Sequence, residues 1–186
     1  MEKNVKKFQK WKNKLLFEDG SQIFVTKEMM QRFSLQGKEA LSEEEYEELF
    51  RYRLRFSAYT WLSKRDYSSW ELEVKLSRYC SQKQWISDLL KDLQQKGYLD
   101  DYRYAIQWVQ SKKYGRVKME YFLLQKGYSR EFVRKVLDEA YQTDTKEIIK
   151  IWNTLAKKEK EKRVMALLRK GYHYSEIKKA LAEIEE

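Results

Sequence analysis

The feature that most constrains the fold of this chain is a pattern of about 45 residues that occurs three times. Ala58 and Trp61 are followed 47 residues later by Ala105 and Trp108, and 44 residues further on Trp152 stands where Trp108 stood. Short helices that recur at such a period bury their apolar faces against one another. The pattern predicts a mainly α fold, an elongated array of three tandem three-helix repeats.

The second copy, residues 96–127, is the most regular. Lys96-Gly97 predicts a helix end, because glycine takes the left-handed conformation without a Cβ penalty. Asp100 or Asp101 then offers a side-chain oxygen to cap the next helix. A basic turn separates two apolar stripes, and Lys126-Gly127 repeats the stop signal. The turn has the sequence Lys112, Lys113, Tyr114, Gly115, Arg116.

The segment before the repeats has a different character. Asp19-Gly20 between short apolar runs predicts a β-hairpin, with strands at 5–17 and 22–26. A short helix over 27–33 and a longer helix over 43–55 follow. We therefore expect four segments: residues 1–56, a β-hairpin and helical extension, and three-helix repeats at 57–100, 101–143 and 144–186.

Serine and acidic residues at capping distance mark several helix starts. Ser42 with Glu45 has the capping-box spacing, in which two side chains satisfy each other's backbone N–H groups. Further pairs predict helix starts in the repeats: Ser68 with Glu71, Ser81 with Gln84, and Asp144 with Glu147.

Composition limits the class of protein. The 186 residues include no proline and only 6 glycines, so long helices are permitted almost everywhere. No apolar run is long enough to span a bilayer, and the N-terminus lacks the apolar core of a secretion signal. The single cysteine, Cys80, excludes an internal disulfide and fits a reducing compartment. We expect a cytoplasmic protein that does not bind membranes.

The net charge of +10 is concentrated in parts of the chain. Residues 1–15 hold six lysines against one glutamate, and residues 103–142 hold nine basic side chains against four acidic ones. Such a surplus attracts phosphates or acidic protein surfaces. A basic surface with no nucleic-acid role remains the simpler alternative.

Cations recur at the turn after the first helix of each repeat, which favours a basic stripe along one edge. They are candidates for contact with phosphates or with an acidic partner, although cations near a helix C-terminus also stabilise the helix dipole by a few tenths of a kcal/mol. The candidates are Lys64 and Arg65, then Lys112, Lys113, Arg116 and Lys118, then Lys157 and Lys158, with Lys160 and Lys162 beyond them.

No catalytic constellation emerges from the remaining residues. Trp61, Trp108 and Trp152 lie on apolar helix stripes, which favours core packing over base stacking. His173 is the only histidine, and Cys80 has no histidine nearby in sequence. We therefore expect no catalytic site, no metal site and no cofactor.

The central repeat resembles that of the RecX family, regulators of the RecA recombinase. The resemblance rests on KGYLDDYRYAIQWV, the basic turn containing glycine, the second Lys-Gly pair and YSREFVRKVL, in that order. One departure is Tyr79-Cys80, where the family has Lys-Gly. The motif residues, which we interpret as mainly structural, are Lys96, Gly97, Tyr98, Leu99, Asp100, Asp101, Arg103, Ala105, Trp108, Gly115, Lys126 and Gly127.

The resemblance implies a regulator of DNA repair, homologous recombination and the SOS response rather than an enzyme. Family members lie along the groove of the RecA–DNA filament and inhibit its ATPase, strand-exchange and coprotease activities. The partners implied are the RecA filament and the DNA within it, contacted by a monomer. The alternative is a stand-alone nucleic-acid-binding module that contacts phosphates through its helical repeats.

Overall fold

The structure, a computed structural model, describes residues 5–185, and the chain folds into two compact units, Met1–Asp100 and Asp101–Glu186. The described residues form four β-strands and ten α-helices. This architecture confirms the predicted class, a mainly α protein with a small antiparallel β-structure near its N-terminus. No helix among residues 5–185 is long and apolar enough to cross a membrane.

The first unit begins with an antiparallel sheet in the order β3-β2-β1-β4. Its strands are β1 (Val5–Trp11), β2 (Lys14–Phe17), β3 (Gln22–Phe24) and β4 (Ala40–Ser42). The predicted Asp-Gly hairpin is confirmed between β2 and β3. Gly20 has a φ of +79° there, a conformation that side-chain-bearing residues rarely adopt.

The prediction of one strand over residues 5–17 is wrong. Lys12 has a φ of 56°, and the chain reverses there, so that Trp11 pairs with Lys14 and the segment is itself a hairpin. A lysine in the left-handed region gives no sequence signal of a turn. Strand β4, only three residues long, is too short to show alternation and was not predicted.

Two helices share one apolar core with the inner face of the sheet. α1 (Lys27–Arg32) begins after Thr26, whose side chain accepts the Met29 N–H, and α2 (Glu43–Leu62) begins with the predicted capping box, which is confirmed in both directions. Phe17 lies 4.8 Å from the ring of Tyr46 and 5.7 Å from that of Phe50, measured between centroids. This aromatic contact attaches the sheet to α2.

α2 continues past the predicted end at residue 55, because no glycine or proline interrupts it. α3 (Ser69–Leu76) and α4 (Lys83–Gln95) complete the unit. Ser68 caps α3 as predicted, but the predicted Ser81 cap is wrong: α4 begins one residue later than that cap requires, and its N-cap, Gln82, makes no side-chain bond.

The second unit contains two clusters of buried apolar side chains, and each is built from three consecutive helices. The first uses α5 (Asp101–Ser111), α6 (Arg116–Gln125) and α7 (Arg130–Ala140). The second uses α8 (Thr145–Thr154), α9 (Lys160–Arg169) and α10 (Tyr174–Glu185). Asp144 caps α8 as predicted. The four-segment division of the chain remains a prediction.

The Lys-Gly stops are confirmed. Gly97, Gly127 and Gly171 each follow a helix end with φ between +74° and +89°. After α4 the N–H of Tyr98 donates to the carbonyl of Leu93 at 2.9 Å, which closes the helix end.

The three repeated tryptophans pack against the apolar clusters, but each is only half-buried. A cation lies over each indole: Lys75 Nζ is 4.2 Å from the Trp61 centroid, Lys112 Nζ is 6.0 Å from Trp108, and the Arg163 guanidinium is 4.9 Å from Trp152. The prediction of core packing therefore holds for only part of each side chain.

Arg163 stands where the other repeats have an apolar residue, and its contacts explain why this is tolerated. Its Nε donates to the Lys158 carbonyl at 2.9 Å, and its Nη2 donates to the carbonyl of Ala156. The guanidinium thus satisfies free carbonyls in the turn after α8 while it covers Trp152.

Candidate nucleic-acid interface

The basic turn between α5 and α6 is held by backbone contacts within the second unit. The N–H of Gly115 donates to the Lys170 carbonyl at 2.9 Å, and the N–H of Val117 donates to the Gly171 carbonyl at 3.1 Å. A Cβ on Gly115 would lie 2.0 Å from the carbonyl carbon of Gly171 and 2.1 Å from the Tyr172 nitrogen. The turn therefore has a fixed position against the end of α9.

Glycine is required at position 115 for a different reason than at the positions that end helices. Its φ is −71°, which any residue adopts, so only the close approach of two backbones requires glycine there. Gly171 needs glycine on both grounds, since its φ is +89° and an added Cβ would lie 2.4 Å from the Lys118 nitrogen.

Two of the candidate cations in this turn form ion pairs with carboxylates of the second unit. Arg116 Nη2 lies 2.5 Å from Asp138 Oδ1, which ties the start of α6 to α7. Lys113 Nζ lies 3.3 Å from Glu147 Oε2, and Lys170 Nζ lies 3.7 Å from Oε1 of the same nearly buried glutamate. These two candidates therefore serve the fold, whatever else they contact.

Lys112 is exposed and has no carboxylate partner among residues 5–185. Its ammonium group lies over the Trp108 ring. Lys118 is half-buried over Tyr114, with Nζ 4.7 Å from the ring centroid. Lys157 and Lys158, in the turn after α8, are exposed, and neither forms an ion pair within the described chain.

In the first unit, Lys64 and Arg65 follow α2 and are both exposed. Arg65 donates to Glu71 at 3.1 Å, and its guanidinium lies 3.6 Å from the Tyr67 centroid. Lys64 forms no ion pair with any residue that the structure describes. The exposed candidates that form no ion pair with a described residue are thus Lys64, Lys112, Lys157, Lys158 and Lys160, whereas Lys162 pairs with Glu159.

A groove of about 650 Å³ lies beside the basic turn, within the second unit. Lys112 and Lys113 line it together with the segment from Glu139 to Lys146. Tyr172 also lines it, and its hydroxyl is buried with no hydrogen-bond partner in the described structure. Burial, and then the charges of Glu147, Asp144 and Glu176, raise the pKa of Tyr172 to about 12. Sequence reasoning missed Lys146 and Tyr172, because neither lies in a basic turn.

The other motif residues have structural contacts. Leu99 and Ala105 are buried, whereas Asp100 and Arg103 are exposed. The Tyr128 hydroxyl donates to Asp101 Oδ1 at 3.1 Å, and its ring stacks on Phe132 with centroids 4.6 Å apart. This contact connects the start of α5 to α7.

Groups with catalytic or metal-binding potential are dispersed. No group of three His, Cys, Asp or Glu side chains among residues 5–185 is arranged to hold a metal ion. Burial raises the pKa of the Cys80 thiol, which disfavours the reactive thiolate. The His173 N–H donates to Glu176 Oε2 at 2.6 Å, so this backbone group closes the first turn of α10.

Comparison with known proteins gives a consistent set of relatives, although no family model matches the chain. A regulatory protein RecX from Clostridium acetobutylicum is 31% identical over 129 residues, which cover 61% of this chain and 60% of that protein. A regulatory protein RecX from Streptococcus sanguinis is 27% identical over 202 residues, which cover 97% of this chain and 77% of that protein.

Two solved structures share the fold. A crystal structure of regulatory protein RecX superposes with a TM-score of 0.56 at 20% identity, covering 94% of this chain and 99% of that one. The crystal structure of RecX from Lactobacillus salivarius gives a TM-score of 0.62 at 20% identity, over 73% of this chain and 97% of that one.

Proposed function

This chain belongs to the RecX family of regulatory proteins, and we propose that it binds the RecA recombinase filament on DNA and inhibits its ATPase, strand-exchange and coprotease activities. The observation that carries the proposal is the likeness to a regulatory protein RecX over 97% of the chain. On this proposal the protein acts as a cytoplasmic, non-enzymatic monomer, and its contribution to DNA repair and the SOS response is made through the filament.

The distribution of free cations supports a contact with DNA or with acidic protein surface. Lys112, Lys157 and Lys158 are exposed, lack carboxylate partners within residues 5–185, and belong to one compact unit. Lysines of this kind release counterions when they meet phosphates, which makes binding favourable and dependent on salt. Lys113 and Arg116 are poorer candidates, because their charges are already paired with Glu147 and Asp138.

The test is RecA-catalysed ATP hydrolysis on single-stranded DNA, measured over a range of concentrations of this protein. We expect hydrolysis to fall as the protein is added, and filaments to shorten or stop growing. Unchanged hydrolysis and unchanged filament length across the whole range would overturn the proposal.

A matched pair of triple variants then tests which cations act. We expect K112A/K157A/K158A to need at least about tenfold more protein for half inhibition, since each lost phosphate contact weakens binding. The control K27A/K83A/K91A removes the same charge from exposed lysines of the first unit and should inhibit like the original protein. Equal inhibition by both variants would exclude the role of the turn lysines.

The alternative, a stand-alone nucleic-acid-binding module, is favoured by the same exposed lysines. It predicts affinity for DNA without RecA that falls steeply with salt. A filament regulator should instead bind RecA–DNA filaments much more tightly than bare DNA at the same salt concentration.

A further inference from the structure

The outer face of the N-terminal sheet carries two exposed aromatic side chains, one on β1 and one on β3, with a lysine between them on β2. Trp11 on β1 pairs with Lys14 on β2, and Lys14 pairs in turn with Phe24 on β3. Their side chains therefore stand on the same side of the sheet. Trp11 is 58% exposed and Phe24 is 37% exposed. The neighbouring row adds Leu16, which is 36% exposed.

The apolar side chains on the opposite face of the same strands are buried in the core. Phe8, Leu15, Phe17 and Ile23 alternate with the outward residues and are all buried. The exposed rings are thus surplus to the packing of the first unit. The two aromatic rings and Leu16 on the solvent side of this small sheet lose favourable burial unless something covers them.

Lysines surround the exposed rings. Lys14 Nζ lies 4.4 Å from the centroid of Phe24 and 5.9 Å from that of Trp11, and Lys12 Nζ lies 5.5 Å from Trp11. Lys7 stands further along the outer face of β1, and it lines a groove of about 940 Å³ together with Glu18 and Glu39. Neither Lys7 nor Lys12 has a carboxylate partner among the described residues, so both charges are available to an anionic ligand.

We propose that this outer face, with Trp11 and Phe24 as stacking surfaces and Lys7, Lys12 and Lys14 as phosphate contacts, is a binding site for single-stranded DNA. Bases stack on exposed aromatic rings in a sequence-tolerant way, while the backbone follows the flanking cations. A duplex does not fit this arrangement, because its base faces are covered by neighbouring base pairs. Three lysines, Lys7, Lys12 and Lys14, accompany the exposed rings, and this charge matches a nucleic acid and opposes a basic protein partner. Lys6 and Lys10 stand on the inner face, where Lys6 pairs with Glu43 and Lys10 donates to the Leu35 carbonyl.

The site does not depend on RecA and goes beyond the proposed regulatory function, so it is tested without the recombinase. The probe is a fluorescent oligo(dT) of about 12 nucleotides, a length within the range that small sheet domains cover, and the readout is anisotropy. We expect the full chain to bind it, and W11A/F24A to weaken binding at least about tenfold, the effect of losing one to two stacked bases. The control Tyr174→Ala removes an aromatic side chain that is 63% exposed in the second unit, and should leave the affinity unchanged.

Two further variants separate stacking from charge. W11F/F24Y retains aromatic rings and should bind within about threefold of the original chain. K7Q/K12N, in which asparagine tolerates the left-handed conformation at residue 12, should reduce the slope of log affinity against log salt by about 1.4. Circular dichroism and melting of each variant verify that the exposed substitutions leave the fold intact.

The proposal is overturned if the full chain does not bind oligo(dT), if W11A/F24A binds like the original, or if W11F/F24Y loses as much affinity as the alanine variant. These outcomes leave the RecA assay untouched, because inhibition of ATP hydrolysis by the same variants is measured separately. If the unmodified chain binds oligo(dT) but does not inhibit RecA, the regulatory function is contradicted and the oligo(dT) site is not.

Discussion

Replacing Gly115 with alanine should destabilise the second unit strongly, because the new Cβ meets backbone atoms and no flexible side chain. It would lie 2.0 Å and 2.1 Å from the carbonyl carbon and oxygen of Gly171, and 2.1 Å from the nitrogen of Tyr172. The turn between α5 and α6 must therefore move away from the end of α9. Movement breaks the hydrogen bonds from Gly115 to Lys170 and from Val117 to Gly171, at 2.9 Å and 3.1 Å.

The magnitude follows from these losses. Two backbone hydrogen bonds contribute about 1 kcal/mol each, and overpacking costs about 1–3 kcal/mol. A loss of about 3 kcal/mol in unfolding free energy corresponds to about 12 °C or more in the melting temperature of a unit of this size. Thermal melting by circular dichroism measures the shift, and hydrogen exchange of peptides spanning 112–118 and 168–173 locates it.

Gly97→Ala provides the contrasting control. Gly97 has a φ of +74°, and a Cβ added there would have no atom within 4 Å, so alanine meets only the left-handed penalty of about 1–2 kcal/mol. Its effect should be confined to peptides of the first unit. A G115A protein that melts within about 2 °C of the original, with unchanged exchange at 168–173, would refute the close approach of the two backbones.

Four further substitutions concern the second unit. Lys112→Ala should leave the free energy of unfolding unchanged. Arg116→Ala breaks a partly exposed ion pair with Asp138 and should lower the free energy of unfolding by about 0.5 kcal/mol, measured by urea titration. Equal unfolding curves for the two variants would show that the Asp138 contact is unimportant. Arg163→Met keeps the side-chain volume but removes two bonds to carbonyls, so we expect a loss of about 1–2 kcal/mol, and no loss would contradict the capping role. Tyr172→Phe should be neutral or slightly stabilising at pH 8, because the hydroxyl it removes is buried and unpartnered among the described residues. Because the pKa of Tyr172 is raised to about 12, the unfolded chain loses the phenol proton first, near pH 10. The free energy of unfolding of the original protein is therefore unaffected by this group below pH 10 and falls as pH rises towards about 12, and at pH 11 the phenylalanine variant should be more stable by about 1 kcal/mol. Equal stability at pH 11 would contradict the pKa shift.

The helical part of the fold was predictable from the sequence because its signals are local. Apolar residues at helical spacing, the Lys-Gly stops and the caps at Ser42, Ser68 and Asp144 each act within a few residues. The first hairpin was missed because its turn uses Lys12 in a left-handed conformation, which costs energy locally and is stabilised by strand pairing on both sides.

The candidate interface was less predictable, since it depends on contacts between residues far apart in sequence. Arg116 meets Asp138 across 22 residues, and Lys113 meets Glu147 across 34. A basic run in a turn gives no indication of which of its charges are already neutralised by tertiary partners. The sequence predicted the position of the turn, and the packed structure distinguishes Lys112 from its paired neighbours.

The exposed row on the N-terminal sheet was hidden for a related reason. With one long strand over residues 5–17, Trp11 and Lys14 would lie on opposite faces, because they are an odd number of positions apart. The turn at Lys12 reverses the chain and places both residues on the same face, opposite each other on adjacent strands. The arrangement of Trp11 with Phe24 therefore depends on a turn that the sequence does not signal.

The most direct test of a regulator of RecA filaments is its binding to those filaments compared with binding to the same single-stranded DNA without RecA. Co-sedimentation at about 0.15 M salt separates the two, because phosphate contacts alone are weakened there. We expect this protein to sediment with RecA–DNA filaments at concentrations at least about tenfold below those needed on bare DNA. Equal binding to both would contradict a filament-specific regulator and favour the stand-alone nucleic-acid-binding module.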